Sequence, residues 1–396
     1  MAAVTLPPVR PPAAPWRPVN CQGVALILQG GGALGSYQAG VYQALHEAGL
    51  EPDWVAGISI GSINGAIIAG NPPERRLERL RVFWETITAR DFDIAIDGGD
   101  DARKWSNSWS SMVTATLGQP GFFAPHAPNP WFSPRGTKTA TSFYDNTPLR
   151  ETLGRLVDFD LLNAKTVRYA AGAVNVQTGN FAYFDTHAGN LGYQIGDTIG
   201  GPITAEHVMA SGALPPALPM QRIGADYFWD GGLVSNTPLF HLVDNMDGAN
   251  LLVFQIDLFS ARGALPRDMH DVLARQKDIQ YSSRTRMVTD YFVRRFRRDR
   301  IMRSLLGKLP DADLDAAERA EKLRLTDLPE LTILNMIYQQ RAYETQAKDY
   351  EFSATSMREH WVCGYDDTRR TLDRTDWLVM PGDAGLVTHD IHRVED

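Results

Sequence analysis

Gly57-Ile58-Ser59-Ile60-Gly61 lies where an apolar run gives way to a stretch of small residues. A serine flanked by glycines at this spacing, between a strand and a helix, is the pattern of a nucleophile elbow. The glycines let the chain bend sharply enough to leave the hydroxyl exposed. The amide of Ile60 would open the following helix, where unpaired N–H groups and the helix dipole favour a developing oxyanion. A second glycine cluster, Gly30-Gly31-Gly32, follows the apolar run Val24–Leu28, and its amides could converge on the same point. These glycines also fit Gly30-x-Gly32-x-x-Gly35, the dinucleotide fingerprint. That fingerprint requires an acidic residue closing the second strand. Here the second strand ends in Gly57-Ile58-Ser59 and Asp53 precedes it, which argues against a dinucleotide.

A serine nucleophile needs a base. None of the nine histidines sits in a glycine-bounded turn. Asp230 does, after Tyr227-Phe228-Trp229 and before Gly231-Gly232. A carboxylate among aromatic rings loses solvation, which raises its proton affinity and makes it a better base. Spacing alone equally fits a plain turn residue at Asp230, and a conventional triad through His389 or His392 stays open as a minor rival.

Taken in chain order, Gly30-Gly31-Gly32-Ala33-Leu34-Gly35, Gly57-Ile58-Ser59-Ile60-Gly61 and Asp230-Gly231-Gly232 resemble the motif set of the patatin-like phospholipases. The blocks Ala210–Pro215 and Asn236-Thr237-Pro238 are similar too. The resemblance covers roughly residues 22–260. It implies a three-layer α/β/α fold with a mostly parallel central sheet, and a Ser–Asp dyad that needs no histidine, metal or cofactor. By position it implies Ser59 as nucleophile and Asp230 as base. Gly30, Gly31, Gly32 and Ile60 would form the oxyanion hole, and Gly57, Gly61, Gly231 and Gly232 the elbow and turn. The implied activity is hydrolysis of acyl lipids or other aliphatic esters through an acyl-enzyme. Transacylation or thioester cleavage on the same dyad, and lipid binding without catalysis, are the alternatives. Leu34 departs from the pattern, since many members carry Arg or Lys there.

The elements needed to hold these residues are legible in part. Val24–Leu28 reads as a buried strand, Ser36 as the cap of a helix running to about Ala48, and Trp54–Ala56 as a second strand. A helix of small residues then continues to about Gly70. This alternation implies a parallel sheet covered by helices. Strands are also expected over Val167–Val176, Phe181–Phe184 and Leu251–Ile256. Residues 84–148 hold four of the nine tryptophans and little periodicity. They are expected to form an irregular insertion, either a surface excursion or a lid or wall for an apolar substrate. The catalytic domain is expected to span residues 21–260. Residues 1–20, with six prolines, read as a flexible arm, and residues 261–396 as a mostly helical extension. Within that extension, residues 284–308 carry nine Lys/Arg, two Asp and an apolar i, i+4 stripe. Such a helix docks on anionic lipid or packs its stripe on the domain.

Composition narrows the rest. The 396 residues are 43% hydrophobic and 22% charged, and 39 basic against 47 acidic side chains give a net charge of −8. A dedicated nucleic-acid binder would need a basic field instead. Two cysteines make neither a disulfide framework nor a zinc cluster, which suits a reducing, cytoplasmic location. The first 19 residues lack the apolar core of a secretory signal. The most apolar stretch, Val55–Gly70, is too short to span a bilayer. The expectation is a soluble protein, peripheral to the membrane at most.

Overall fold

A computed structural model describes residues 4–88, 99–188 and 197–392. The parallel core begins with β1 (Gly23–Leu28), α1 (Ser36–Glu47), β2 (Trp54–Ile58), α2 (Ile60–Ala69) and α3 (Pro73–Ile87). Then come α4 (Gly99–Leu117), the short antiparallel pair β3 (Ala124–Pro125) and β4 (Tyr144–Asp145), α5 (Thr147–Leu156) and α6 (Phe159–Asn163). The middle of the chain adds β5 (Arg168–Asn175), β6 (Phe181–Asp185), β7 (Asp197–Ile199) and α7 (Ala205–Ser211). It continues with β8 (Gln221–Ile223), β9 (Asp226–Asp230), α8 (Leu239–Asp244) and β10 (Leu251–Asp257). The C-terminal part runs α9 (Met269–Leu306), α10 (Ala316–Arg324), β11 (Leu331–Ile337), α11 (Ala354–Leu372) and β12 (Leu386–Asp390).

The main sheet has the order β12-β11-β10-β1-β2-β5-β6-β7, and every pair from β12 to β5 is parallel. Three layers follow from the two-residue period of the strands. Val24, Leu26, Leu28 and Val55 face α1, α2, α3 and α11. Ala25, Ile27, Trp54 and Ala56 face the opposite way, against Leu239 and Leu242 of α8 and Phe292 and Phe296 of α9. Strands buried on both faces carry continuous apolar runs, which is why the first two were readable.

The C-terminal region is helical, and it also supplies β11 and β12, which extend the sheet beyond β10. Its α11 lies along α1. Trp361 Nε1 donates to Gln43 Oε1 at 2.8 Å, and Tyr365 Oη to Glu47 Oε2 at 2.8 Å. Tyr37 Oη donates to Asp367 Oδ2 at 2.8 Å. The region is thus part of the core rather than an appendage. The basic segment lies on α9 and spends its apolar stripe on the domain, with Phe292 and Phe296 buried. Arg295 pairs with Asp244 at 2.6 Å, and Arg300 donates to Pro329 O at 2.9 Å.

Two local expectations change. Ser36 is the first residue of α1 rather than its cap; a 3-10 turn over Gly32–Gly35 leads in, and Gly35 takes the cap position. Residues 99–117 form a regular helix. Its buried positions are Ser106, Asn107 and Thr114, whereas Trp105, Trp109, Met112 and Leu117 face out, so the usual apolar-inward pattern is reversed. Residues 89–98 of that insertion lie outside the described residues. The proline-rich arm has no regular structure from residue 4 to 18, yet it is tied down by Ala13 N–H to Glu47 O at 3.0 Å and Arg17 to Asp53 at 2.6 Å.

Trp361 is fully buried between α1 and α11. Trp361→Ala should destabilise the chain by about 3–5 kcal/mol, read as a lowered thermal unfolding midpoint by circular dichroism. A chain ended at residue 260 should give no cooperative unfolding transition, because the edge of β10 and the inner face of α1 lose their cover.

Candidate active site

β5 positions the site. On one side it pairs with β6 throughout Ala170–Val174. On the other it pairs first with β2, up to Ile58 opposite Gly172, and then with β9, from Asp230 opposite Ala173. The ladder changes partner between Gly172 and Ala173. Ser59, the residue after β2, therefore meets Asp230, the last residue of β9, end to end.

Ser59 sits at φ +54°, ψ −124°, in the left-handed region that side chains avoid. The strain persists because the turn is pinned. Ser59 N–H donates to Ser211 O and to Ser211 Oγ, both at 3.1 Å, and Ser211 Oγ–H donates to Gly172 O at 2.7 Å. Ser59 O closes the first turn of α2, accepting from Ser62 N–H at 2.9 Å. A methyl group at Gly57 would strike the backbone of Gly61, and one at Gly61 would strike Leu28 O, so this bend admits only glycine at both places.

Asp230 is buried and lines the same cavity as Ser59, whose side chain lies near enough to favour the ionised carboxylate. Its Oδ1 accepts from Gly232 N–H at 2.7 Å. Burial pushes its pKa up to about 6, against the Ser59 side chain and the Gly232 amide, which favour the ionised form. No histidine lines the cavity around these residues. His392 contacts Asp367 at 3.2 Å and His389 stacks on Trp377, so neither serves Ser59.

The glycine loop lies against the serine. A Cβ on Gly30 would fall 3.1 Å from Ser59 Cβ. The Gly30 amide is itself engaged, donating to Asn236 O at 3.3 Å, while Asn236 Nδ2 donates to Gly30 O at 2.9 Å. Asn236 thus clamps the loop from both sides. The amides of Gly31, Gly32 and Ile60 have no acceptor among the described residues. Asn236 and Ser211 were within the motif blocks of the sequence, but neither carried a role there. Their hydrogen-bond partners are distant in the chain, and only the fold brings them together.

A cavity of about 370 Å³ opens from Ser59 and Asp230. Ser111, Thr114 and Ala115 of α4, with Phe122, Phe123, Phe143 and Tyr144, wall one side, so the insertion is a wall of the cavity. Leu214 and Leu218 contribute to the wall as well. The C-terminal region closes the cavity with Asp349, Tyr350 and Phe352, and Asp349 O accepts from Ala33 N–H beside the glycine loop at 2.9 Å. Among the described residues no group of three or more His, Cys, Asp or Glu could hold a metal ion.

The profile of the patatin-like phospholipases matches residues 26–243, and a second, described as patatin phospholipase, matches residues 279–384. Patatin-like phospholipase domain-containing protein 6 of Homo sapiens is 43% identical over 94 residues, 24% of this chain and 5% of that protein. Lysophospholipase nte1 of Aspergillus terreus is 52% identical over 48 residues, 12% of this chain and 3% of that protein. These matches thus cover only a small part of the relatives' length. VipD from Legionella pneumophila aligns over 89% of this chain and 67% of its own, at 15% identity and a TM-score of 0.38.

If Asp230 is the base, it must be ionised to accept a proton. With its pKa near 6, kcat/KM for a soluble ester should rise with pH through about 6 and level off above it. A rate profile measured from pH 4 to 9 checks this, and Asp230→Asn should abolish the rise along with most of the activity.

Proposed function

We propose that this chain, which belongs to the patatin-like phospholipase family, hydrolyses acyl esters of lipids by serine chemistry. The observation that carries the reading is the end-to-end meeting of Ser59 with a buried carboxylate, beside unengaged amides at the head of an apolar cavity. The acyl chain lies along the aromatic wall and its ester carbonyl rests over Ser59. Asp230 takes the hydroxyl proton as Oγ attacks, and the amides of Ile60, Gly31 and Gly32 stabilise the oxyanion. Collapse of the tetrahedral intermediate expels the alcohol, which leaves with the proton held on Asp230. Water then attacks the acyl-enzyme as Asp230 takes its proton, and Asp230 returns that proton to Ser59 Oγ as the acyl bond breaks and the fatty acid leaves. Asn236 supports this chemistry by fixing the loop that carries two of the three donors. A relative named as a lysophospholipase favours a phospholipid with a single acyl chain as the ester.

Among the described residues no helix is long and apolar enough to cross a membrane, so such a substrate is met at a lipid surface. The outer face of α4 carries Trp105, Trp109 and Met112 at helical spacing, with the two indoles stacked at 6.2 Å. The 126–143 loop carries Trp131 and Phe132, which are 84% and 83% exposed. That loop holds Arg135 and Lys138 and no acidic residue. Exposed aromatics flanked by cations suit an anionic interface. The other faces of both segments wall the cavity, so a membrane met here lies at its mouth. These features favour lipid contact through the insertion rather than through α9.

A fluorophosphonate should label the protein, and Ser59→Ala should abolish both labelling and hydrolysis of a long-chain p-nitrophenyl ester, by about 10³-fold or more. Labelling that persists in the variant overturns the assignment. The double variant Trp131→Ser, Phe132→Ser should lose most of its sedimentation with phosphatidylglycerol vesicles at an unchanged unfolding midpoint.

A further inference from the structure

A second cavity, of about 300 Å³, lies at the carboxyl ends of β10, β11 and β12, and nothing in the acyl-transfer reading uses it. Ligands of open α/β sheets bind at the carboxyl ends of the strands. Phe259 lines both cavities, so its ring stands between this one and the acyl site. Gln255 and Asp257 of β10 line the new cavity, with Asp390 of β12. Gln255 is only 1% exposed. Its Nε2 donates to Asp257 Oδ2 at 2.9 Å, but its Oε1 has no partner. An acceptor buried without a donor is costly, and this one belongs to a residue that lines an open cavity.

Arg262 and Arg286 also line the cavity. Both side chains are exposed, and neither forms an ion pair with any described carboxylate. The cavity therefore offers acceptors and carboxylates together with two guanidinium groups that form no ion pair among the described residues, and guanidinium groups bind phosphate by paired donors. A neutral polyol would leave the arginines unused, and a simple anion would leave Gln255 Oε1 unsatisfied and would meet Asp257, Asp290 and Asp390. We infer that this cavity binds a small zwitterion in which a primary ammonium faces Gln255, Asp257 and Asp390 and a phosphate faces Arg262 and Arg286, the chemistry of an ethanolamine phosphate headgroup.

The site also touches the catalytic loop. Asp257 Oδ1 accepts from Thr237 Oγ1 at 3.4 Å, and Thr237 follows Asn236, which clamps Gly30. Asp257, Thr237 and Asn236 thus link an occupant of the cavity to the loop that supplies the oxyanion donors.

Binding to the full chain is measured by calorimetry with three probes: glycerophosphoethanolamine, glycerophosphocholine and inorganic phosphate. None has an acyl ester, so this arm stands whether or not the chain is a hydrolase. Glycerophosphoethanolamine should bind at least about tenfold more tightly than glycerophosphocholine, whose quaternary nitrogen has no N–H for Gln255. Arg262→Ala and Arg286→Ala, both at exposed positions, should each weaken it by about tenfold with the unfolding midpoint unchanged. No binding by any probe, equal binding of the choline and ethanolamine compounds, phosphate binding as tightly as either, or binding indifferent to both arginine variants each overturns the proposal. A second arm rests on the hydrolase reading and separates two sources of the headgroup. If it belongs to the lipid being hydrolysed, the double arginine variant raises KM for lysophosphatidylethanolamine but not for lysophosphatidylcholine. If it belongs to a free compound, both KM values hold while affinity for glycerophosphoethanolamine falls.

Discussion

A carboxylate buried at the head of an apolar cavity is the constraint around which this structure is arranged. Asp230 accepts from the Gly232 amide, has the Ser59 side chain beside it, and pairs with no cation among the described residues. In that setting its charge is poorly compensated, and its affinity for a proton rises to the range useful for general base work. A guanidinium or ammonium beside it would lower that affinity and weaken the base. The acid must therefore be delivered without an ion pair, and the partner change along β5 does this through backbone register alone.

The same register explains why the small residues fall where they do. β2 and β9 both end against adjacent positions of one strand, so the chains around Gly172, Gly231 and Ile58 are crowded. A Cβ on Gly231 would meet Gly172 O at 2.6 Å. The strained backbone of Ser59 is held by Ser211, which is itself fixed to Gly172. Strain at Ser59 is thus offset by hydrogen bonds from three separate segments. The C-terminal region completes the site from the far side, through Asp349 against the glycine loop and Phe352 in the cavity wall.

Much of this was legible in the residues themselves. The two glycine clusters, the elbow serine and the acid in its glycine turn are local patterns, and local patterns survive in sequence. So do β1, β2, β5 and β10, whose continuous apolar runs reflect burial on both faces. What stayed hidden depends on contacts between distant segments. Leu331–Ile337 is as apolar as the other core strands, but it lies between long helical stretches and reads with them. The helix over 99–117 was obscured because its tryptophans point outward and its buried face is built from Ser106, Asn107 and Thr114. The Gly30 amide seemed available until Asn236, 206 residues away, was found to occupy it.

A crystal structure of the protein inactivated by a long-chain alkyl fluorophosphonate is the most direct measurement. The account predicts phosphorus bonded to Ser59 Oγ, the phosphoryl oxygen within about 2.7–3.1 Å of the Ile60 amide and of at least one of Gly31 and Gly32, and the alkyl chain along Phe122, Phe123 and Phe352. Phosphorus on another residue, or a phosphoryl oxygen turned away from all three amides, would contradict it.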